Sequence, residues 1–198
     1  MTEQRQPRRP EDFVQAYAEQ PPWDIGRPQP VIAALAEAGG LRGRVLDVGC
    51  GTGEHALLAA GLGLDVTGVD TAAPAIERAR AKAAERGLKV RFEVANALEL
   101  EGFGPFETIV DSALFHVFED DDRIRYVASL ASVLEPGGRL HLLCFSDRQP
   151  GVWGPRRVSE AELRAAFGAG WRIESIDAVE LELTRGQAQA WLAAIIRD

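Results

Sequence analysis

The sequence predicts an α/β fold: a seven-stranded, mostly parallel sheet with one antiparallel strand and helices on both faces. Three observations lead there. Short apolar runs alternate with helical stretches through most of the chain. One run, Val45-Leu46-Asp47-Val48, breaks into glycines at 49, 51 and 53 and restarts as a helix at Glu54. The last two runs, from Trp171 to Leu183 and from Ala190 to Ile196, follow each other with no helix between them.

From the N-terminus, residues 1–10 are polar and rich in Arg and Pro, and read as a disordered tail. Phe13, Val14 and Tyr17 share helical spacing within Glu11–Glu19, so a short amphipathic helix is expected. Prolines 21, 22, 28 and 30 forbid helix in the next stretch and make it a stiff connector. Trp23, beside Asp24 and Gly26, either plugs the edge of the core or closes over a ligand. Residues 11–30 are thus a candidate lid on a single domain spanning 11–198. Val31–Ala38 is a helix stopped by Gly39-Gly40.

The first strand ends at Val48, and the loop Gly49-Cys50-Gly51-Thr52-Gly53 leaves backbone N–H groups at a helix N-terminus. Leu64–Asp70 is the second strand, ending in a carboxylate about 20 positions past the glycines, where α/β nucleotide folds bind ribose. Pro74–Arg86 is helical and Gly87 stops it. Lys89–Val94 is the third strand, running into Ala95-Asn96-Ala97. The fourth starts at Glu107 and passes through Asp111 into a loop carrying Phe115, His116 and Phe118. Asp120, Asp121 and Asp122 cap a helix from Arg123 to Leu134. Glu135-Pro136-Gly137-Gly138 reads as a turn before a fifth strand, Arg139–Phe145. A loop holding Trp153, Arg156 and Arg157 follows. Ser159 opens a helix with Glu162 placed for a capping box. The final run, 190–196, is apolar enough to lie in mid-sheet.

Composition narrows the function. At 198 residues, 46% hydrophobic and 26% charged, the chain fits one domain with a sizeable core. No apolar run approaches the roughly 20 residues that span a bilayer, and the N-terminus lacks the apolar region of a secretory signal. A net charge of −8 argues against a nucleic-acid partner, and the basic cluster Arg5, Arg8, Arg9 reads as part of a solvated tail. The two cysteines, Cys50 and Cys144, suit a reducing compartment, and no Cys/His cluster has metal-ligand spacing. The expectation is a cytoplasmic, metal-free protein, monomeric or homodimeric.

The glycine loop departs from the dinucleotide fingerprint, because Glu54 stands where the sixth-position glycine belongs. A nicotinamide oxidoreductase is therefore the weaker alternative. Asp47 ahead of Gly49, Gly51 and Gly53 instead resembles motif I of the class I S-adenosylmethionine (SAM)-dependent methyltransferases, and the likeness runs from Pro21 to Ile196. Pro-Pro-Trp-Asp-Ile-Gly at 21–26, Asp-Ser-Ala-Leu-Phe-His at 111–116 and Gly-Pro-Arg-Arg-Val-Ser at 154–159 look like a bacterial group related to thiopurine methyltransferases. That group methylates small aromatic, quinone-like or heterocyclic compounds.

The resemblance implies a Rossmann-like fold binding SAM and releasing S-adenosylhomocysteine. It implies cofactor contacts from Trp23, Asp47, Gly49, Cys50, Gly51, Asp70, Asn96, Ala97 and Asp111. Asn96 stands where the family often has an acidic residue meeting the adenine amino group, with Glu99 or Glu101 as substitutes. Phe13, Tyr17, Phe115 and Phe118 are expected to line an acceptor pocket with Trp23. A general base is optional, because a phenol on an electron-poor ring is already partly ionised near neutral pH; His116 is the candidate, although a backbone group could equally satisfy it. Asp111 fits a supporting role better than that of a base. His55, His141 and Tyr126 read as structural. A SAM-binding protein without transferase activity is the remaining alternative. A nucleic-acid methyltransferase is weaker still, because strand four ends in Asp-Ser-Ala-Leu instead of Asn/Asp-Pro-Pro-aromatic.

Overall fold

A computed structural model describes residues 10–151 and 153–198. The tail expected over 1–10, with Arg5, Arg8 and Arg9, lies outside the described residues except for Pro10, which opens helix α1 (Pro10–Ala16). The order continues α2 (Pro30–Glu37), β1 (Arg44–Val48), α3 (Glu54–Gly61), β2 (Asp65–Asp70), α4 (Ala73–Glu85), β3 (Arg91–Val94) and β4 (Phe106–Ser112). It ends with α5 (Asp120–Val133), β5 (Leu134–Phe145), α6 (Glu160–Ala166), β6 (Trp171–Glu182) and β7 (Gln187–Arg197).

The seven strands form one sheet in the order β3-β2-β1-β4-β5-β7-β6. Neighbours from β3 through β5 are parallel, and β7 runs antiparallel to both β5 and β6. So β7 is the one reversed strand, inserted in mid-sheet.

Alternate strand residues face opposite sides, and both sides are covered. Val45, Val66, Val110 and Leu143 pack with Ile32 of α2, Leu57 of α3 and Ile76 of α4. Leu46, Val69, Ile109 and Leu142 pack with Tyr126 and Leu130 of α5 and Leu163 of α6. The chain winds outward in one direction from β1 to β3 and in the other from β4 to β5. Right-handed crossovers then place α3 and α4 on one face and α5 on the other. The direction changes between β1 and β4, which opens a crevice at the strands' C-terminal ends.

Two boundaries differ instructively from the sequence reading. Residues 135–138, expected as a turn, belong to β5, which pairs Leu134 with Phe106 and resumes at Arg139–Thr108 across a register shift. Helix α5 begins at Asp120 with Glu119 as N-cap, so the three aspartates lie inside its first turn and act on the dipole, with no side-chain cap bond. The capping box of α6 is present: Ser159 Oγ accepts the Glu162 N–H at 3.2 Å, and Glu162 Oε2 accepts the Ser159 N–H at 2.8 Å.

Candidate active site

The glycine loop owes its shape to two aspartates. Helix α3 starts after Gly53, whose φ of +84° favours glycine and which offers no side-chain cap. Asp47, in β1, supplies the cap from outside: its Oδ2 accepts the Ala56 N–H, in the helix's first turn, at 3.0 Å. Asp47 is 1% exposed and lines neither the recess at this loop nor the main cavity at the strand ends; it holds the loop from beneath, where a ligand contact was expected. Burial pushes its carboxyl up to about 7. Asp70, at the end of β2, holds the loop from the other side. Its Oδ2 accepts the Gly51 N–H at 2.9 Å and its Oδ1 the Ala72 N–H at 2.8 Å.

A cavity of about 310 Å³ occupies the crevice at the strand ends. Gly49, Asp70, Asn96 and Ala97 line one side. The Asn96 Oδ1 accepts the Leu98 N–H at 3.1 Å, which fixes the turn after β3. Neither Glu99 nor Glu101 reaches the cavity; Glu99 is exposed and 3.7 Å from Arg125. A smaller recess of about 60 Å³ shares the walls Tyr17, Trp23 and Gly49 and adds Cys50 and Gly51. Cys50 therefore faces this recess, with its thiol pushed up by burial.

The N-terminal segment crosses this opening. Phe13, Tyr17 and Trp23 all line the main cavity. Trp23 meets Phe13 and Tyr17 edge to face at 6.1 and 6.2 Å, and its Nε1–H donates to the Tyr17 hydroxyl at 3.0 Å. The segment is pinned at several points. Thr52 donates to Asp24 Oδ1 at 2.9 Å, Arg78 Nη2 to the Tyr17 carbonyl at 2.7 Å, and the Thr184 N–H to the Pro22 carbonyl at 2.8 Å. Gln29, 3% exposed, pairs with the Glu182 backbone twice, donating at 3.0 Å and accepting at 2.9 Å. His55 joins this clasp, its Nε2 accepting the Gln29 N–H at 3.1 Å.

Beside the glycine loop, β4 gives way at Ala113, which lines the cavity with a φ of +73°, the left-handed region that costs a non-glycine residue roughly 1–2 kcal/mol. His116 and Phe118 reach the cavity from the loop beyond. Phe115 does not. It is fully buried in the core, 5.7 Å from the Phe167 ring and with the Arg123 guanidinium 4.5 Å over its face. Asp111 is also withdrawn, for it spends its carboxylate on the Tyr126 hydroxyl (2.8 Å) and the Leu114 and Phe115 N–H groups. It is a loop support, and the Tyr126 hydroxyl is its anchor; burial pushes the Asp111 carboxyl up to about 6.

The sequence reading missed Phe145 and Trp153, which extend this wall. His116 meets Phe145 at 5.2 Å and Phe145 meets Trp153 at 5.9 Å, both edge to face. The Arg157 guanidinium lies 5.5 and 5.6 Å over the Phe145 and Trp153 rings, while donating to the carbonyls of Gln149, Gly151 and Pro155. A tryptophan in a Gly/Pro-rich loop was the available signal. Its neighbour Phe145 carried none, being one apolar residue of a strand.

The site thus has a polar backbone cradle on one side and an aromatic wall on the other. Among the described residues no group of three or more His, Cys, Asp or Glu side chains is placed to hold a metal ion, and no helix is long and apolar enough to cross a membrane.

The methyltransferase domain family matches residues 45–138. The 2-heptyl-1-hydroxyquinolin-4(1H)-one methyltransferase of Mycobacteroides abscessus is 41% identical over 168 residues, covering 83% of this chain and 74% of the relative. A probable thiol methyltransferase 2 of Arabidopsis thaliana is 33% identical over the same shares. A structure solved for the conversion of a disulfide bond into a thioacetal group during echinomycin biosynthesis superposes with a TM-score of 0.87 at 40% identity, covering 95% of this chain and 92% of that one.

Proposed function

We propose the following reaction for this chain, which belongs to the class I SAM-dependent methyltransferases: a methyl group moves from SAM to an oxygen or nitrogen of a small aromatic, quinone-like or heterocyclic acceptor. The observation that carries it is a single cavity with two unlike walls, Gly49, Asp70 and Asn96 on one side and the row His116-Phe145-Trp153 on the other.

The residues present suit the nucleoside. Gly49 lines the cavity, Asp70 ends β2 beside it where a ribose is expected, and Asn96 and Ala97 line the region expected to meet adenine. When bound, SAM supplies a methyl carbon made electrophilic by an adjacent sulfonium. The chain's share is alignment and enclosure. Phe118, Phe145 and Trp153 give a flat acceptor a stacking surface, and Phe13, Tyr17 and Trp23 exclude water from above. Holding two reactants in line supplies roughly 7–11 kcal/mol of barrier lowering without a covalent intermediate. The relative from M. abscessus, named for a hydroxyquinolone, supports a heterocyclic acceptor. The relative from A. thaliana, named for thiols, supports sulfur as the second choice.

Calorimetry with SAM on the protein and on Asp70→Ala, followed by a radiolabelled-methyl screen over phenols, quinones, hydroxyquinolines and thiols, tests the reading. Affinity should fall about 10- to 100-fold in the variant, the scale of losing charge-assisted hydrogen bonds. Equal affinity in the two proteins would overturn the placement of the cofactor.

A further inference from the structure

Past Ser112, β4 still gives the Ala113 N–H to the Leu143 carbonyl at 2.8 Å, and then the chain turns away. The next N–H of β5 on that flank belongs to Phe145, 2% exposed, and it has no strand to pair with. His116 fills the gap, its Nδ1 accepting the Phe145 N–H at 3.1 Å. A buried amide left without a partner costs about 1–3 kcal/mol, so the imidazole is held with Nδ1 bare and its proton on Nε2. A nitrogen already carrying a proton takes no second one while the ring stays neutral. Turning Nδ1 into a donor would set two N–H groups against each other.

Among the described residues, the other ionisable groups on the cavity are no better placed. Both Asp70 oxygens accept backbone N–H groups. Glu119 and Asp122 are at the rim, 3.9 Å from Arg156 and 3.1 Å from Arg125. Tyr17 accepts from Trp23, and burial keeps it a neutral phenol.

We propose that methyl transfer here uses no protein base, so the acceptor must enter with its reacting atom already ionised: an acidic hydroxyl on an electron-poor aromatic ring. This rests on the acceptor class proposed above and narrows it. The acceptor's proton goes to solvent before binding. Its oxygen lone pair then forms the bond to the methyl carbon as the S–CH3 bond breaks, and that pair returns to sulfur. The anionic and sulfonium charges cancel, and no protein group gains a proton.

The test uses the full chain, SAM and hydroxy-aromatics graded in acidity. The acid limb of kcat/KM should move with each acceptor's own pKa; a limb fixed at one pH for all acceptors overturns the proposal. His116→Asn, whose Oδ1 can take the Phe145 N–H, should lose less than about tenfold and keep the moving limb; a loss of about 10²–10⁴, the scale of a removed base, overturns it. Nitrogen-15 spectra of the three histidines, with His116→Asn for assignment, should show His116 protonated on Nε2, and an Nδ1–H pattern overturns the wiring. A panel giving no methylated product sinks the acceptor class, whereas the nitrogen spectra judge the tautomer independently.

Discussion

Tyr17 closes over Gly51: its hydroxyl oxygen occupies the space a β-carbon on Gly51 would need, while its Cζ lies 3.5 Å from that position. The N-terminal segment, the proposed lid, and the glycine loop are therefore fitted to each other through one oxygen atom. Gly51→Ala should loosen this fit twice over, through a φ of +52° that costs alanine about 1 kcal/mol and through collision with the hydroxyl. Tyr17→Phe removes the oxygen and leaves only the ordinary Cζ contact. SAM affinity should thus drop in Gly51→Ala and recover substantially in the double variant. A double-mutant cycle with no coupling would show that the lid does not rest on the loop.

How much of this was legible beforehand follows from range. Asp70's place at a strand end beside the glycine loop was legible because the two are a fixed distance apart in sequence. The β6–β7 hairpin was legible because nothing helical separates the two runs. The misassigned residues share a different cause. Phe115 and Phe118 sit three apart in one loop and look alike in sequence, yet Phe167 and Arg123 draw the first inward while the cavity takes the second. Asp111 was named as a ligand contact because the Tyr126 hydroxyl that claims it is 15 residues away on another element. The Gln29–Glu182 pair spans 153 residues. Local pattern carries no record of such partners.

Gln29→Ala should release the lid with little effect on the core. The glutamine imitates a strand neighbour for Glu182, and its loss strands a donor and an acceptor at about 1–3 kcal/mol together. Hydrogen exchange should quicken in residues 10–29 and at 182–184, and SAM should dissociate faster. Uniform acceleration through β1 and β4 would mean global destabilisation instead.

Asp47 gives a pH signature. Its carboxyl titrates near 3.8 when unfolded and about 7 when folded, so between these values the folded state keeps a proton that the unfolded state has lost. The stability this confers is complete below 3.8 and is lost as pH rises through about 7. Asn at 47 can still accept the Ala56 N–H and does not titrate. The unfolding free energy of Asp47→Asn minus that of the parent, from denaturant titrations, should therefore rise from pH 5 to pH 8, by an amount bounded by a few kcal/mol at about 1.4 kcal/mol per pH unit. His55 and His141, pushed down to about 4 by burial, lose stability in the opposite direction, but both proteins carry them and the difference cancels them. A flat difference curve would show that Asp47 stays ionised in the fold.

Trp153 separates the two ligands. It is 48% exposed and stands edge to face on Phe145 at the proposed acceptor wall. Phe145 ends β5, two or more strands from β1, β2 and β3, whose ends carry Gly49, Asp70 and Asn96. An indole left half in water beside a cavity retains apolar surface that a flat acceptor can cover, about 25 cal/mol for each Å² removed from solvent. Trp153→Ala should raise the acceptor KM by roughly tenfold, the worth of one stacking contact of about 1–1.5 kcal/mol, with SAM affinity nearly unchanged. Trp153→Phe should recover most of the loss, since it keeps a ring for Arg157 to cover. If instead SAM binding falls in parallel with acceptor binding, the 146–158 loop shapes the whole cavity and the division into a cofactor wall and an acceptor wall is wrong.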